Sequence, residues 1–380
     1  MKVLVAPQGF KGSLAAAEVA EAIAAGLPEE HEAEPLPVAD GGEGTVEALL
    51  AAIGGERRST VVEGPLGQPV EATWAMLADG RAAIEMAAAS GLPLVGAERD
   101  PRRATTYGTG QLIAAAIDEG ASDIIVGIGG SATNDGGAFA LEALGATLLD
   151  SAGKPLPRSV IHLQRLAQVG LDAVRQRLGG VRLRVMSDVT NPLLGPSGAT
   201  SVYGPQKGVN QAMRPRLEAA LERWAEVIEG TAGRRLRDEP GAGAAGGLGF
   251  ALLAIGASLE PGAEMVLDLA GFDERVPQAG LVITGEGLLD GQSPFGKATV
   301  AVARRAKKAG APVLAIVGGL GEGYEAALAE GIDAVMPIVP GPLSLEEAQT
   351  GAKELITAAT QRAFRMIELG IKHASGARRQ

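Results

Sequence analysis

The sequence predicts an α/β protein in which residues 1–65 and 281–380 build one doubly wound sheet. Residues 66–280 form a second α/β domain inserted between them, with the functional site in the cleft between the two. Three observations lead there. Both ends of the chain alternate short apolar runs with Ala-rich or amphipathic helices, the rhythm of parallel βαβ units. The middle lacks that rhythm and is punctuated by glycine-rich loops. A chain of 380 residues is also long enough for two or three domains at roughly 150 residues each.

Residues 2–6 read as a strand, Ser13 to Ala25 as an Ala-rich helix with Ser13 as its N-cap, and 33–38 as a second strand. A helix from Thr45 to Ile53 ends at Gly54-Gly55, and a β-rich stretch around Val61-Val62 follows. Val70 to Glu85 alternates like a hairpin turning at Asp79-Gly80. The far end returns to α/β order: strand Leu281–Thr284, a helix from Thr299 to Ala309, strand Val313–Val317, a short helix, a strand within Ile332–Ile338, and a last helix from Ser344.

The composition narrows the function. Hydrophobic residues make up 46% of the chain and charged ones 21%, so it is globular, while aromatics at 3% leave small aliphatics to fill the core. A net charge of −11 opposes sequence-independent nucleic-acid binding, which needs a basic face, and points to a small-molecule partner. There are no cysteines, which removes disulfides, thiol nucleophiles and thiolate metal sites. The three histidines, His31, His162 and His373, sit beside no glycine loop or acidic cluster, so a general base is a carboxylate or a lysine. The first apolar run stops at Pro7 and no apolar stretch reaches the length of a membrane span, so the expected location is the cytoplasm.

Glycine loops carry the candidate chemistry. Gly127 to Gly137 holds five glycines around Ser131, Thr133, Asn134 and Asp135 after the strand-like Asp123–Val126. It is either a tight strand-to-helix turn or a loop whose N–H groups close on an anion. Only nine of the 34 basic residues are lysines, yet Lys11, Lys154, Lys207 and Lys297 each touch a glycine. A lysine there can follow a phosphate, whereas in the simple turn at Lys154 it is a solvated charge. Gly291 to Lys297 fits the start of a P-loop, but Ala298 stands where a hydroxyl must hold magnesium, so the match fails. Glu286 and Asp290 follow the strand ending at Thr284 and could hold magnesium or be solvated. Gly241 to Gly246 spells Gly-x-Gly-x-x-Gly without the preceding strand a dinucleotide site requires, so close helix packing is its alternative. Asp40 and Glu43 open the helix at Thr45 as caps or ligand contacts. Asp188 lies at the C-terminal end of strand Val181–Met186, where it could take a proton from a substrate hydroxyl. Thr105 to Gly110 opens a helix, a natural place for an anion.

Taken in order, Phe10–Ser13, Ala39–Gly44, Thr105–Gly110, Gly127–Gly137, Asp188–Leu193, Gly204–Gly208, Gly241–Gly247 and Ile283–Gly287 leading to Gly296-Lys297 resemble the bacterial glycerate kinase family that lacks a P-loop. The resemblance covers nearly the whole chain. It implies a discontinuous Rossmann-like domain around an inserted α/β domain, and ATP-dependent phosphorylation of D-glycerate to 2-phosphoglycerate rather than 3-phosphoglycerate. Phosphoryl transfer needs an aligned acceptor hydroxyl, magnesium across the phosphates and fixed positive charge. Asp188 is therefore expected to be the base or aligner, Lys11 and Lys297 to supply charge, and Glu286 with Asp290 to hold Mg2+. Ser13, Asp40, Gly41, Gly42, Glu43, Thr106, Gly108, Gly129, Gly130, Ser131, Thr133, Asn134, Asp135, Asn191 and Lys207 are the expected contacts to ATP and glycerate. Gln8-Gly9 departs from the family's Asp-Ser, and Ser293 and Tyr203 are milder departures from Thr and Phe. A kinase of another small hydroxy acid and a nicotinamide-dependent dehydrogenase or nucleotide-binding protein are the rival readings. A homodimer is left open.

Overall fold

A computed structural model describes residues 1–291 and 298–377, with side chains to residue 370. The chain forms two compact units: Met1–Asp40, Glu47–Ala52 and Ala263–Gln380 in the first, and Gly41–Val46 and Ile53–Gly262 in the second. In chain order the strands of the two main sheets are β1 (Lys2–Val5), β2 (Glu32–Pro35), β3 (Gly55–Glu63), β4 (Pro69–Leu77), β5 (Ala82–Glu85), β6 (Asp123–Gly127), β7 (Arg182–Met186), β8 (Ser258–Glu260), β9 (Leu281–Thr284), β10 (Val313–Val317) and β11 (Ala334–Pro337). The helices used below are α1 (Ala16–Ala25), α2 (Thr45–Ile53), α3 (Tyr107–Asp118), α4 (Gly262–Leu269), α5 (Ala298–Lys308), α6 (Leu345–Thr350) and α7 (Ala352–Ala377).

The first unit is an all-parallel five-stranded sheet in the order β11-β10-β9-β1-β2. Its central strands are continuous apolar runs, as strands covered on both faces must be: all five residues of β10 and all four of β9 are buried. Val3, Val5 and Ile283 pack with Val19 and Ile23 of α1 and with Ile356 and Phe364 of α7. From β1 the chain first builds outward to β2, then returns to build the other way through β9. The strand order therefore reverses between β1 and β9, and loops at such a point leave a crevice for ligands.

The second unit is a mixed six-stranded sheet, β8-β7-β6-β5-β4-β3. β3, β4 and β5 are antiparallel neighbours, and β5 through β8 run parallel. Trp74, Ile124, Phe139, Trp224 and Phe250 sit in its core. The hairpin expected at Asp79-Gly80 is present, with Met76 opposite Ala82. Two local readings differ from the structure. β3, grouped with the N-terminal sheet by the sequence reading, pairs along nine residues with β4 instead. Ser13 caps no helix, because its hydroxyl donates to the Gln349 carbonyl at 2.7 Å, and α1 starts at Ala16 with Glu18 accepting from the Ala15 N–H. Among the described residues no helix is long and apolar enough to cross a membrane.

Candidate active site

In the first unit, a cavity of about 810 Å³ opens where β1 and β9 part. Its polar lining comes from the loop after β1 (Gln8, Lys11, Ser13), from Asp40 after β2, and from Glu286 after β9. Gly318 and Gly319 after β10 and a mainly aliphatic stretch from Ile338 to Ala352, with Ser344 and Gln349 within it, complete it. These are the C-terminal ends of parallel strands, so the reversal of strand order dictates this place. The glycines beside Glu286 have a geometric reason. A Cβ on Gly285 would lie 2.0 Å from the Ile316 carbonyl oxygen, so the backbones of β9 and β10 can leave the sheet this close together only without a side chain.

Within this lining Lys11 is exposed and Glu286 is buried to 5% exposure. Gln8 Nε2 donates to Asp40 Oδ2 at 2.7 Å, so the residue that replaces the family's Asp holds a carboxylate where an Asp would repel it. Asp290 follows Glu286 by four residues and is half-buried, but it is not part of the lining. Lys297 lies outside the described residues, as does Ser293. The aliphatic wall was missed by sequence reasoning. Its signal was there in Leu343 and Leu345, two large apolar residues flanking the Ser344 cap on a helix whose start has nothing else to bury.

The glycine loop belongs to the second unit, and much of it is turned inward. Gly129, Ala132 and Gly136 donate their N–H groups to Gly41, Ser90 and Gly246 carbonyls, and Gly137 donates to Asp135 Oδ1. Those amides are unavailable to an anion. Asp135 is fully buried and accepts from the Thr106 N–H at 2.7 Å and the Thr106 hydroxyl at 2.8 Å. The anion held at the start of α3 is thus the protein's own carboxylate. Burial pushes the Asp135 carboxyl up, and the Thr106 and Gly137 hydrogen bonds pull it back. Lys207 is buried to 2% exposure and donates to Ser131 Oγ at 2.7 Å and to the Thr133 carbonyl at 2.8 Å. Burial lowers its ammonium to about 7, against the charge of Asp135. Asn134 Nδ2 donates to Thr200 Oγ1. These side chains brace the loop, and Gly130 is its exposed edge.

Close approach explains further glycines. A Cβ on Gly129 would lie 2.7 Å from Gly42 Cα, and one on Gly246 2.0 Å from the Thr133 oxygen. The Gly-x-Gly-x-x-Gly spelling is therefore a packing feature against the loop. Gly41 packs on Met186 and Gly108 on the Glu63 carbonyl, while Glu43 is exposed. Asp188, half-buried just past β7, accepts the Gly262 N–H at 3.0 Å at the start of α4. Asn191 accepts from the Tyr203 hydroxyl at 2.8 Å and donates to the Ser197 carbonyl.

A family model for the glycerate kinase family matches residues 3–368. The chain is 47% identical over 380 residues to a Bacillus subtilis glycerate kinase, covering 98% of each protein. It is 45% identical over 380 residues to the glycerate 2-kinase of Escherichia coli K12, covering 98% of this chain and all of that one. A crystal structure from Salmonella typhimurium LT2, provisionally assigned as glycerate kinase 2, superposes with a TM-score of 0.88 at 42% identity over 98% of this chain and 99% of its own.

Proposed function

Because the chain belongs to the glycerate kinase family, we propose that it transfers the γ-phosphoryl group of ATP to D-glycerate, forming 2-phosphoglycerate and ADP. The observation that carries this reading on the molecule itself is the cavity at the strand-order reversal, whose glycine-framed lining brings together an exposed lysine and two carboxylates. Phosphoryl transfer asks little covalent chemistry of a protein; it asks for alignment and for charge placed where the transferring group loosens.

In this reading Lys11 supplies mobile positive charge to the phosphates. Asp188 accepts the proton of, or aligns, the glycerate hydroxyl. The braced loop around Gly130 and Ser131, with Asn191 beside the strand end, presents a fixed polar surface to the acceptor. Magnesium takes one or two carboxylates and completes its shell with phosphate and water oxygens, so the hard oxygens of Glu286 and Asp40 suit it. No larger cluster of potential ligands exists among the described residues. Those two side chains would hold the ion, and the ion would neutralise phosphate charge. Use of ATP and a cysteine-free sequence support a cytoplasmic location for the enzyme.

The test is a coupled ADP-release assay over a panel of small hydroxy acids, with the phosphate position of the product read by NMR. D-Glycerate should give the highest kcat/KM and a phosphate on carbon 2. Preference for another hydroxy acid would transfer the same machinery to that substrate. A thermal shift with NADH and none with Mg-ATP would end the kinase reading.

A further inference from the structure

The lining of the first unit's cavity changes character along the sheet. Lys11, Asp40 and Glu286 belong to loops after β1, β2 and β9. Three strands along from β1, the loop after β11 and the helices following it contribute a mainly aliphatic wall, Ile338, Val339, Leu343, Leu345, Ala348 and Ala352, interrupted by Ser344 and Gln349. A three-carbon acid with a carboxylate and two hydroxyls has no apolar face to set against these six aliphatic side chains.

The aliphatic wall is built firmly. Ser344 accepts the Glu347 N–H while Glu347 Oε2 accepts the Ser344 N–H at 2.8 Å, a capping box that fixes the start of α6. The Ser13 hydroxyl then ties the loop after β1 to the Gln349 carbonyl at 2.7 Å. Yet this rigid element leaves Leu343 43% and Leu345 74% exposed. Large apolar side chains held out in a cavity wall are the mark of a surface that a flat apolar group covers.

We propose that this wall receives the purine ring of ATP, and that the triphosphate runs from it past Gly318 and Gly319 toward Lys11. The proposal rests on the kinase reading above and assigns the first unit to the nucleotide. The ring is held by aliphatic contact from α6 and the loop before it, and the phosphates by the loops at the strand-order reversal.

Two variants test it in the full-length protein. Ala348→Phe fills the wall. Leu345→Asp places a charge on it at a side chain so exposed that the core is untouched. Both should weaken ADP binding by about tenfold or more in calorimetry, while inorganic tripolyphosphate binds within about twofold of wild type. In the assay KM for ATP should rise with KM for glycerate unchanged. ADP binding at the wild-type level in both variants overturns the proposal. So does a rise in KM for glycerate with ADP binding intact, which would give the wall to the acceptor. A wild-type protein that binds ADP through this wall but phosphorylates no glycerate would refute the family activity and leave the purine site standing.

Discussion

At Gln8 one substitution sets the charge of the cavity. Its amide donates to Asp40, so the opening holds one fewer carboxylate than a chain with Asp at this place. Gln8→Asp should put two carboxylates side by side and draw a cation between them. The Mg2+ concentration for half-maximal rate should fall several-fold, roughly 3–10-fold. An unchanged Mg2+ titration would remove Asp40 from the metal's surroundings. Lys207 leads to a prediction about stability. Folded, it gives up its proton at about 7, and its ordinary value is 10.5. The unfolded chain therefore binds more protons between those values, so stability rises with pH across that window and is insensitive to this group below it. Urea unfolding at about pH 7 and about pH 10 should show a gain on the order of a few kcal/mol in wild type relative to Lys207→Met. Parallel behaviour of the two proteins would mean that the ammonium does not feel its burial. The sequence marked both Lys11 and Lys207 by a neighbouring glycine, but only one is exposed. Burial depends on what the rest of the chain folds over a residue, and no local spacing records that.

Among the elements, α4 offers the sharpest test of Asp188, whose carboxylate both holds the Gly262 N–H and is assigned to the acceptor hydroxyl. Asn keeps an oxygen for the cap and loses the base. Asp188→Asn should therefore lower kcat by on the order of 10²–10³ with little change in stability. Asp188→Ala should add a loss of about 1 kcal/mol in unfolding free energy from the uncapped helix. If Asp188→Asn keeps full kcat and only Asp188→Ala loses stability, Asp188 is a cap and nothing more. Strands with apolar runs were legible nearly to the residue: Leu281–Thr284 and Val313–Val317 are β9 and β10 as read. The start of α1 was not, because the hydroxyl that would cap it is engaged by a residue 336 positions away. The glycine loop was legible as unusual but not as braced. Its requirement for glycine comes at Gly127 and Gly129 from the backbone of a distant segment, Gly41 and Gly42, which presses against it, and at Gly130, Gly136 and Gly137 from positive φ.

Over the whole molecule, each unit has its own core. One draws on residues between Val62 and Ala257, the other on residues before Ile23 and after Leu281. The segment 41–262 expressed alone should therefore melt cooperatively by circular dichroism. The segment 1–262 should gain no second transition, because β1 and β2 would lack the three strands that complete their sheet. A broad, non-cooperative melt of 41–262 would show that its core is not self-sufficient. The α/β class and the series of motifs were legible because both lie in local pattern. The aliphatic wall was legible only as two apolar residues beside a helix cap, because the strand order alone carries the loop after β11 round to the same crevice as Lys11. The protein's two tryptophans, Trp74 and Trp224, are both fully buried in the second unit. Their emission is thus a built-in lamp for one half of the enzyme. That emission reports on the second unit, so an optical titration of a nucleotide docking in the first needs a dye placed there.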